Sequence, residues 1–189
     1  TLLAAAAVTG GSVRLRNVPV EEMLAVIAKL EEMGCVISRQ ENSLTLHGPE
    51  RLSAFAQLQT QPHPGFPTDM QAQMMAIASL AKGTSVVVEN VFENRFAHAG
   101  DLNRMGANIL INGRTAVIRG VERLSGARVT ARDLRGGAAL AIAGLAAQGE
   151  TIVERARLID RGYESLETAL THLGADVQRI SVERGEEHP

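Results

Sequence analysis

The sequence predicts an α/β domain, an inside-out, three-fold, barrel-like arrangement of βαβαββ units with the helices inside and the sheets outside. Two observations predict it: one pattern of helix, glycine, strand and second helix occurs three times, and the glycines that end the two helices are almost equally spaced. Such recurrence is the signature of a repeat architecture. The spacings are 24 residues for Gly10 to Gly34, 23 for Gly83 to Gly106 and 25 for Gly149 to Gly174.

Each unit contains an Ala-rich helix that ends at a glycine and continues into a β-branched strand. The three copies read AAAAVTGGSVRLRNV, MAIASLAKGTSVVVENV and LAIAGLAAQGETIVERA. Glycine adopts the left-handed backbone that closes a helix, and a short Val/Ile run indicates a buried strand. A second helix follows in each copy and ends in a related signature, LEEMGC, LNRMGA or LTHLGA.

A hairpin is predicted after the second helix, most clearly in ANILINGRTAVIRG, where Asn112 and Gly113 suit the positive-φ pair of a tight turn. Further strands precede the first helices of copies two and three, in SAFAQLQTQ and ARVTARDL. We therefore expect one domain over 1–189 with units of approximately 1–49, 50–120 and 121–189. The first unit lacks its opening strand, and the last ends in the charged stretch VERGEEHP, which we expect to fray. An open doubly wound sheet is the alternative, but copies with hairpins do not form an all-parallel sheet.

Composition limits the classes of partner. Of the 189 residues, 45% are hydrophobic and 21% charged, as in globular proteins. The 19 Lys and Arg against 21 Asp and Glu give a net charge of −2, so no basic field attracts nucleic acid or an anionic membrane. Aromatic residues are only 3%, which leaves few stacking platforms for bases. Any anion must therefore be bound by a local cluster of cations.

The apolar run at the start, Leu2 to Val8, is too short for a membrane span and has neither the basic flank nor the cleavage site of a signal peptide. It predicts a helix, and we expect the chain to begin inside an element. The single cysteine, Cys35, cannot form an internal disulfide and fits a reducing, cytoplasmic location. Because the other copies have Ala107 and Ala175 at its position, Cys35 is predicted to be a core thiol rather than a nucleophile.

The loops that precede the helices are the predicted site, since equivalent loops of repeated units emerge on the same side. Arg95, Arg135 and Arg161 lie in three of these loops and can converge as a bidentate grip for phosphate. A loop arginine is also commonly a solvated or ion-paired surface residue. Tyr163, beside Arg161, is open between a packing role and a substrate contact.

Asp69 has two interpretations. Thr68 with Gln71 matches a capping box, and an acid in the first turn suits the helix dipole. The other interpretation is that Asp69 is a carboxylate general base held by the proline-stiffened segment PHPGFP. Both interpretations hold if Thr68 caps the helix and leaves Asp69 free. The histidines show no metal-ligand spacing, and neither a dinucleotide fingerprint nor a Walker loop is present, so no metal and no cofactor are expected.

The chain contains the strings PHPGFPTDMQAQ, VFENRFAH, LNRMGA, GVERLSGARVTARDLRGG and IDRGYESLETAL. Together these strings resemble, across essentially the whole chain, the UDP-N-acetylglucosamine 1-carboxyvinyltransferase family. They look unlike the sister enolpyruvylshikimate-phosphate synthases, which share the repeat and remain the alternative enzyme. The resemblance implies a cytoplasmic transferase of two similar domains, each of three βαβαββ units. Its implied reaction transfers the enolpyruvyl group of phosphoenolpyruvate to the 3-hydroxyl of UDP-N-acetylglucosamine, the first committed step of peptidoglycan synthesis, without a metal.

The resemblance also implies roles for individual residues. Asp69 matches the base that contacts the sugar hydroxyl, and Val91 matches a UDP-sugar contact. Arg95, Arg135 and Arg161 match arginines of the cleft, with Arg161 closest to the phosphate and carboxylate of phosphoenolpyruvate.

The general-acid cysteine of the family lies in its other domain and has no counterpart in this sequence. The expected partners are therefore the two substrates and the missing half of the enzyme, and the chain alone is expected to be inactive. A non-catalytic repeat domain that binds a protein or a nucleotide sugar is the alternative from another class, although a scaffold has no need of a carboxylate among cations.

Overall fold

A computed structural model describes residues 1–181. The helices are α1 Leu2–Val8, α2 Leu24–Glu32, α3 Gln71–Ala78, α4 Ala99–Arg104, α5 Leu134–Leu145 and α6 Leu166–His172. The strands are β1 Ser12–Arg16, β2 Val36–Gln40, β3 Ser43–His47, β4 Gln57–Gln59, β5 Thr84–Val88, β6 Asn108–Asn112, β7 Thr115–Arg119, β8 Leu124–Ser125, β9 Arg128–Thr130, β10 Ala147–Gln148 and β11 Ile152–Glu154.

The sheets follow the repeat. The first sheet has the antiparallel order β1-β3-β2, and the second has the order β4-β5-β7-β6, in which only the β4–β5 pair is parallel. The last part of the described chain has two parallel pairs, β8 with β10 and β9 with β11. The antiparallel hairpins exclude the doubly wound sheet.

The three Ala-rich helices form the centre of the molecule. Helices α1, α3 and α5 pack against one another, and every residue of α3 is buried. The strands β3, β5 and β7 instead alternate between buried and more exposed side chains, so their sheets cover the core with one face and meet solvent with the other. The predicted arrangement, with helices inside, is therefore confirmed. Within residues 1–181, none of the helices has both the length and the apolar character needed to span a bilayer.

The glycines that end the helices behave as predicted, since all six of those counted in the sequence have positive φ. The residue after the second-helix glycine then makes the same hydrogen bond in each copy. The amide of Cys35 donates to the carbonyl of Leu30 at 3.0 Å. In the other copies, the amide of Ala107 donates to the carbonyl of Leu102 at 3.1 Å and that of Ala175 to the carbonyl of Leu170 at 3.0 Å. Cys35 is buried, and burial raises the pKa of its thiol to about 11, which confirms a core thiol.

Two sequence expectations need correction. The β6–β7 turn is centred on Gly113 and Arg114, and only Gly113 has positive φ, as the first central residue of a type II′ turn does. The predicted pair Asn112–Gly113 was therefore wrong by one position. The hairpin expected after the second helix of the third unit is not seen, because no strand follows α6 within residues 1–181. The stretch VERGEEHP, for which fraying is expected, lies outside the described residues.

Candidate functional site

The N-terminal ends of the three central helices meet at one end of the molecule. The side-chain amide of Gln73, in the first turn of α3, donates to the hydroxyl of Thr1 at 3.2 Å and to that of Tyr163 at 3.1 Å. Arg135, in the first turn of α5, also donates to the Tyr163 hydroxyl at 3.1 Å. Because helix N-termini carry partial positive charge, this end of the domain favours an anionic ligand.

Asp69 lies between two arginines at this end. Its Oδ1 accepts a hydrogen bond from Arg95 Nη2 at 3.1 Å, and its Oδ2 accepts one from Arg135 Nη2 at 2.8 Å. The Asp69 side chain is 54% exposed, so both ion pairs are open to a ligand from solvent. Asp69 is therefore joined to Arg95 and Arg135, two of the three arginines for which the loop argument predicted convergence.

The capping box predicted at the start of α3 is absent. The Thr68 hydroxyl donates to Glu89 Oε2 at 2.9 Å, and no side-chain cap forms at the one-turn 3₁₀ helix Thr68–Met70 or at α3. The Gln71 amide is buried, and neither of its polar atoms has a hydrogen-bond partner among the described residues. The predicted capping box is therefore wrong, and the Asp69 carboxylate accepts from arginine side chains. Asp69 still lies in the first turn of the 3₁₀ helix, where an acid suits the helix dipole.

Each arginine lies against an aromatic ring, and the backbone of Arg135 is also fixed by a helix cap. The Arg95 guanidinium lies 5.1 Å from the ring centroid of Phe92, and that of Arg135 lies 5.4 Å from the ring of Tyr163. Asp133 caps α5 by accepting from the Arg135 amide at 2.9 Å. Burial lowers the pKa of Arg135, but the hydrogen bonds to Tyr163 and Asp69 outweigh it and raise the pKa, so this side chain is a permanent cation.

Val91 lies beside Asp69 in an open depression of about 330 Å³ that Pro67, Thr68 and Phe92 also line. Arg161 is exposed in the loop before α6, two residues from Tyr163, and it forms no side-chain hydrogen bond or ion pair with a described residue. The structure thus joins four of the five predicted residues by contact or by a shared depression, and it leaves the Arg161 side chain pointing at no protein partner within residues 1–181.

The sequence predicts no role for two buried polar residues near the site, and it leaves the role of Tyr163 undecided. Glu89 and His98 are 1% and 2% exposed, and burial lowers the pKa of the histidine to about 4. The only signal for Glu89 was an acid directly after the apolar strand β5. Tyr163, which the sequence left open, contacts Arg135 through both its ring and its hydroxyl.

The fold and this cluster define the class of protein. Residues 1–170 match the sequence model of the EPSP synthase (3-phosphoshikimate 1-carboxyvinyltransferase) family. The chain therefore belongs to that family of carboxyvinyltransferases.

Individual proteins match this chain at about half of their aligned positions. A UDP-N-acetylglucosamine 1-carboxyvinyltransferase of Myxococcus xanthus is 53% identical over 95% of this chain, and UDP-N-acetylglucosamine 1-carboxyvinyltransferase 1 of Symbiobacterium thermophilum is 55% identical over 95%. This chain spans 42% and 41% of the length of those two proteins. Among solved structures, the enolpyruvyl transferase NikO from Streptomyces tendae is 23% identical, with a TM-score of 0.83 over 93% of this chain and 42% of its own, which supports the fold.

Proposed function

We propose that this chain forms one wall of the active site of a UDP-N-acetylglucosamine 1-carboxyvinyltransferase. The enzyme transfers the enolpyruvyl group of phosphoenolpyruvate to the 3-hydroxyl of UDP-N-acetylglucosamine, an early step of peptidoglycan synthesis in the cytoplasm. The observation that carries the proposal is the exposed carboxylate of Asp69 held between Arg95 and Arg135. The relatives at 53% and 55% identity support this acceptor.

In this proposal Asp69 is the base. Its carboxylate takes the proton from the sugar 3-hydroxyl as that oxygen forms a bond to C2 of phosphoenolpyruvate, and a proton from the other half of the site goes to C3. The product of this addition is a tetrahedral ketal. In the elimination, a base in the other half of the site takes a proton from C3 and the C2–O bond to phosphate breaks, which restores the C2–C3 double bond and releases inorganic phosphate. A positioned base of this kind contributes on the order of 10²–10⁴ in rate.

The arginines have two roles in the same proposal. Arg95 and Arg135 bind the carboxylate and phosphate of phosphoenolpyruvate through their planar forks, and Arg161, which is exposed in the next loop, adds a third cation. Anions that engage Arg95 and Arg135 also compete with Asp69 for their hydrogen bonds, which frees the carboxylate to accept a proton. Val91 lines the part of the depression that receives the sugar nucleotide.

Two alternatives have less support. The enolpyruvylshikimate-phosphate synthase reaction fits the family and the fold. However, the relatives at 53% and 55% sequence identity are UDP-N-acetylglucosamine 1-carboxyvinyltransferases. A non-catalytic scaffold gives no reason for a carboxylate that is 54% exposed between two arginines.

The test uses a chimera in which this chain replaces the matching 42% of the Myxococcus xanthus relative. We expect the chimera to release phosphate from phosphoenolpyruvate only when UDP-N-acetylglucosamine is present. The 189-residue chain alone is the control and is expected to give no turnover. A chimera that melts cooperatively yet prefers 3-phosphoshikimate, or turns over neither acceptor, would contradict the proposal. Turnover by the chain alone would contradict the need for a second half.

A further inference from the structure

The side chain of Glu89 joins the two loops that carry Asp69 and Arg95. Glu89 directly follows strand β5, is 1% exposed and accepts four hydrogen bonds. The Thr60 hydroxyl and the Val91 and Phe92 amides donate to Oε1 at 2.8, 2.8 and 3.0 Å. The Thr68 hydroxyl donates to Oε2 at 2.9 Å. One carboxylate thus fixes the residue that precedes Asp69 and the turn that leads to Arg95.

Within residues 1–181, this buried carboxylate has no cation paired with it. In the described part of the chain, no lysine, arginine or histidine forms an ion pair with Glu89, whereas the other buried acid, Asp101, pairs with both Arg104 and Arg132. A buried charge without a counter-ion is costly unless hydrogen bonds satisfy it. Burial raises the pKa of the Glu89 carboxyl, but its four donors outweigh burial and hold the pKa below its ordinary value.

We propose that Glu89 is the positioning residue of this site: through Thr68 and the Val91–Phe92 amides it sets the distance between Asp69 and its arginine partners. The expected effect of Glu89 on the rate rests on the proposed function, whereas its effect on the position of Asp69 is independent of that function. A displacement of about 1 Å at a reacting group costs up to about 10²-fold in rate, so such a clamp affects the chemical step directly.

A matched pair of variants separates positioning from stability. Thr68→Val and Thr60→Val each remove one hydroxyl bond to Glu89, but only Thr68 adjoins Asp69 in the chain. The Thr60 hydroxyl also accepts from the Asn90 amide at 2.9 Å, so Thr60→Val orphans an additional donor and costs at least as much stability. Thr68→Ser keeps the hydroxyl and is the conservative rescue.

Glu89→Gln supplies a second conservative test. The Gln oxygen accepts the three bonds that Oε1 receives, and its NH₂ group donates to the Thr68 hydroxyl, which can accept as well as donate. We expect Glu89→Gln to keep the clamp. Glu89→Ala leaves all four donors without a partner and is expected to unfold the site.

The first readout is the pair of guanidinium ¹⁵N signals of Arg95 and Arg135 in the 189-residue chain, which report their ion pairs with Asp69. We expect Thr68→Val to shift and broaden both signals, and Thr60→Val, Thr68→Ser and Glu89→Gln to leave them unchanged. The second readout is kinetic, in the chimera. There kcat is expected to fall about tenfold in Thr68→Val, with KM for UDP-N-acetylglucosamine within about twofold, and to change less than about twofold in Thr60→Val.

The two proposals fail differently. If the unmodified chimera does not turn over but the guanidinium signals respond as stated, the proposed function is wrong and the positioning role of Glu89 stands. If the chimera is active and both valine variants give equal changes in signals and kcat, Glu89 is a stability element only. Equal melting temperatures with unequal kcat would confirm positioning.

Discussion

At the scale of single residues, the chemistry of the site depends on where Asp69 directs its carboxylate. The Thr68 hydroxyl donates to Glu89 instead of to the start of the helix, so the predicted capping box does not form. Asp69 accepts hydrogen bonds from Arg95 and Arg135 at 3.1 and 2.8 Å and from no helix amide. The base role proposed for Asp69 is the one that this geometry supports.

Asp69→Asn therefore tests the base directly. Asparagine keeps the size and polarity of the side chain but does not accept the proton, so we expect kcat of the chimera to fall on the order of 10²–10⁴. Affinity for the sugar nucleotide should weaken less, because the amide still hydrogen-bonds a hydroxyl. Turnover, nucleotide-sugar affinity and melting temperature are measured in the one variant. Near-normal turnover would show that Asp69 is not the general base.

Tyr163 offers a test of how Arg135 is held. Tyr163→Phe keeps the ring beside the guanidinium but removes the oxygen that accepts from Arg135 and Gln73. We expect KM for phosphoenolpyruvate to rise severalfold and stability to fall by about 1 kcal/mol.

A double-mutant cycle with Asp69→Asn shows whether the tyrosine acts through Arg135. Because both residues contact that arginine, their effects on KM should be non-additive. Strictly additive effects would mean that Tyr163 only packs.

At the scale of elements, the helices and strands could be predicted because their signals are local. The glycines after the helices need positive φ, and a run such as Val86 to Val88 marks a strand, although this strand is buried on one face only rather than throughout as expected. The Glu89 clamp could not be predicted, since its donors come from residues 60, 68, 91 and 92 and meet only in the folded chain. The capping box failed for the same reason: a distant acceptor took the Thr68 hydroxyl.

The glycines also mark close contacts between elements. A Cβ at Gly120, which follows β7, would collide with the carbonyl oxygen of Ala81 after α3, and one at Gly48, which follows β3, would lie 2.9 Å from the Ala6 oxygen. Both contacts join the end of a hairpin to the end of a central helix, and the obstructing atoms are backbone atoms that cannot rotate away.

Gly120→Ala is expected to destabilise the chain by about 1–3 kcal/mol or more, since overpacking against backbone forces the hairpin from the core. Gly100→Ala is the matched control, because a Cβ there meets nothing within 4 Å on helix α4 and should be neutral or stabilise by up to about 1 kcal/mol. The free energies of unfolding of both variants are measured in denaturant. Equal values for the two would show that the hairpin moves freely relative to α3.

At the scale of the whole molecule, the site and the core share one buried titratable group. His98 begins α4 directly after the loop of Arg95, and its ring lies 2% exposed with no hydrogen-bond partner among the described residues. Burial lowers the pKa of His98 to about 4, although the charges of Asp133 and Asp101 act in the opposite direction. The folded protein thus keeps this ring neutral where an unfolded chain would protonate it.

The free energy of unfolding should therefore decline in acid, and replacing His98 should remove the part of this decline that its ring causes. Because the folded pKa of about 4 lies below the ordinary value of 6.5, the unfolded state binds the proton first as pH falls. The stabilisation from neutral His98 is complete above pH 6.5, declines between 6.5 and about 4, and amounts to up to about 3 kcal/mol. His98→Gln does not titrate, so its free energy of unfolding should fall less over this interval than that of the unmodified chain, whatever its stability at pH 7. Denaturant titrations of both proteins at pH 7 and at pH 4.5 measure the two slopes. Parallel slopes would mean that His98 is protonated in the folded state and pairs with Asp133 or Asp101.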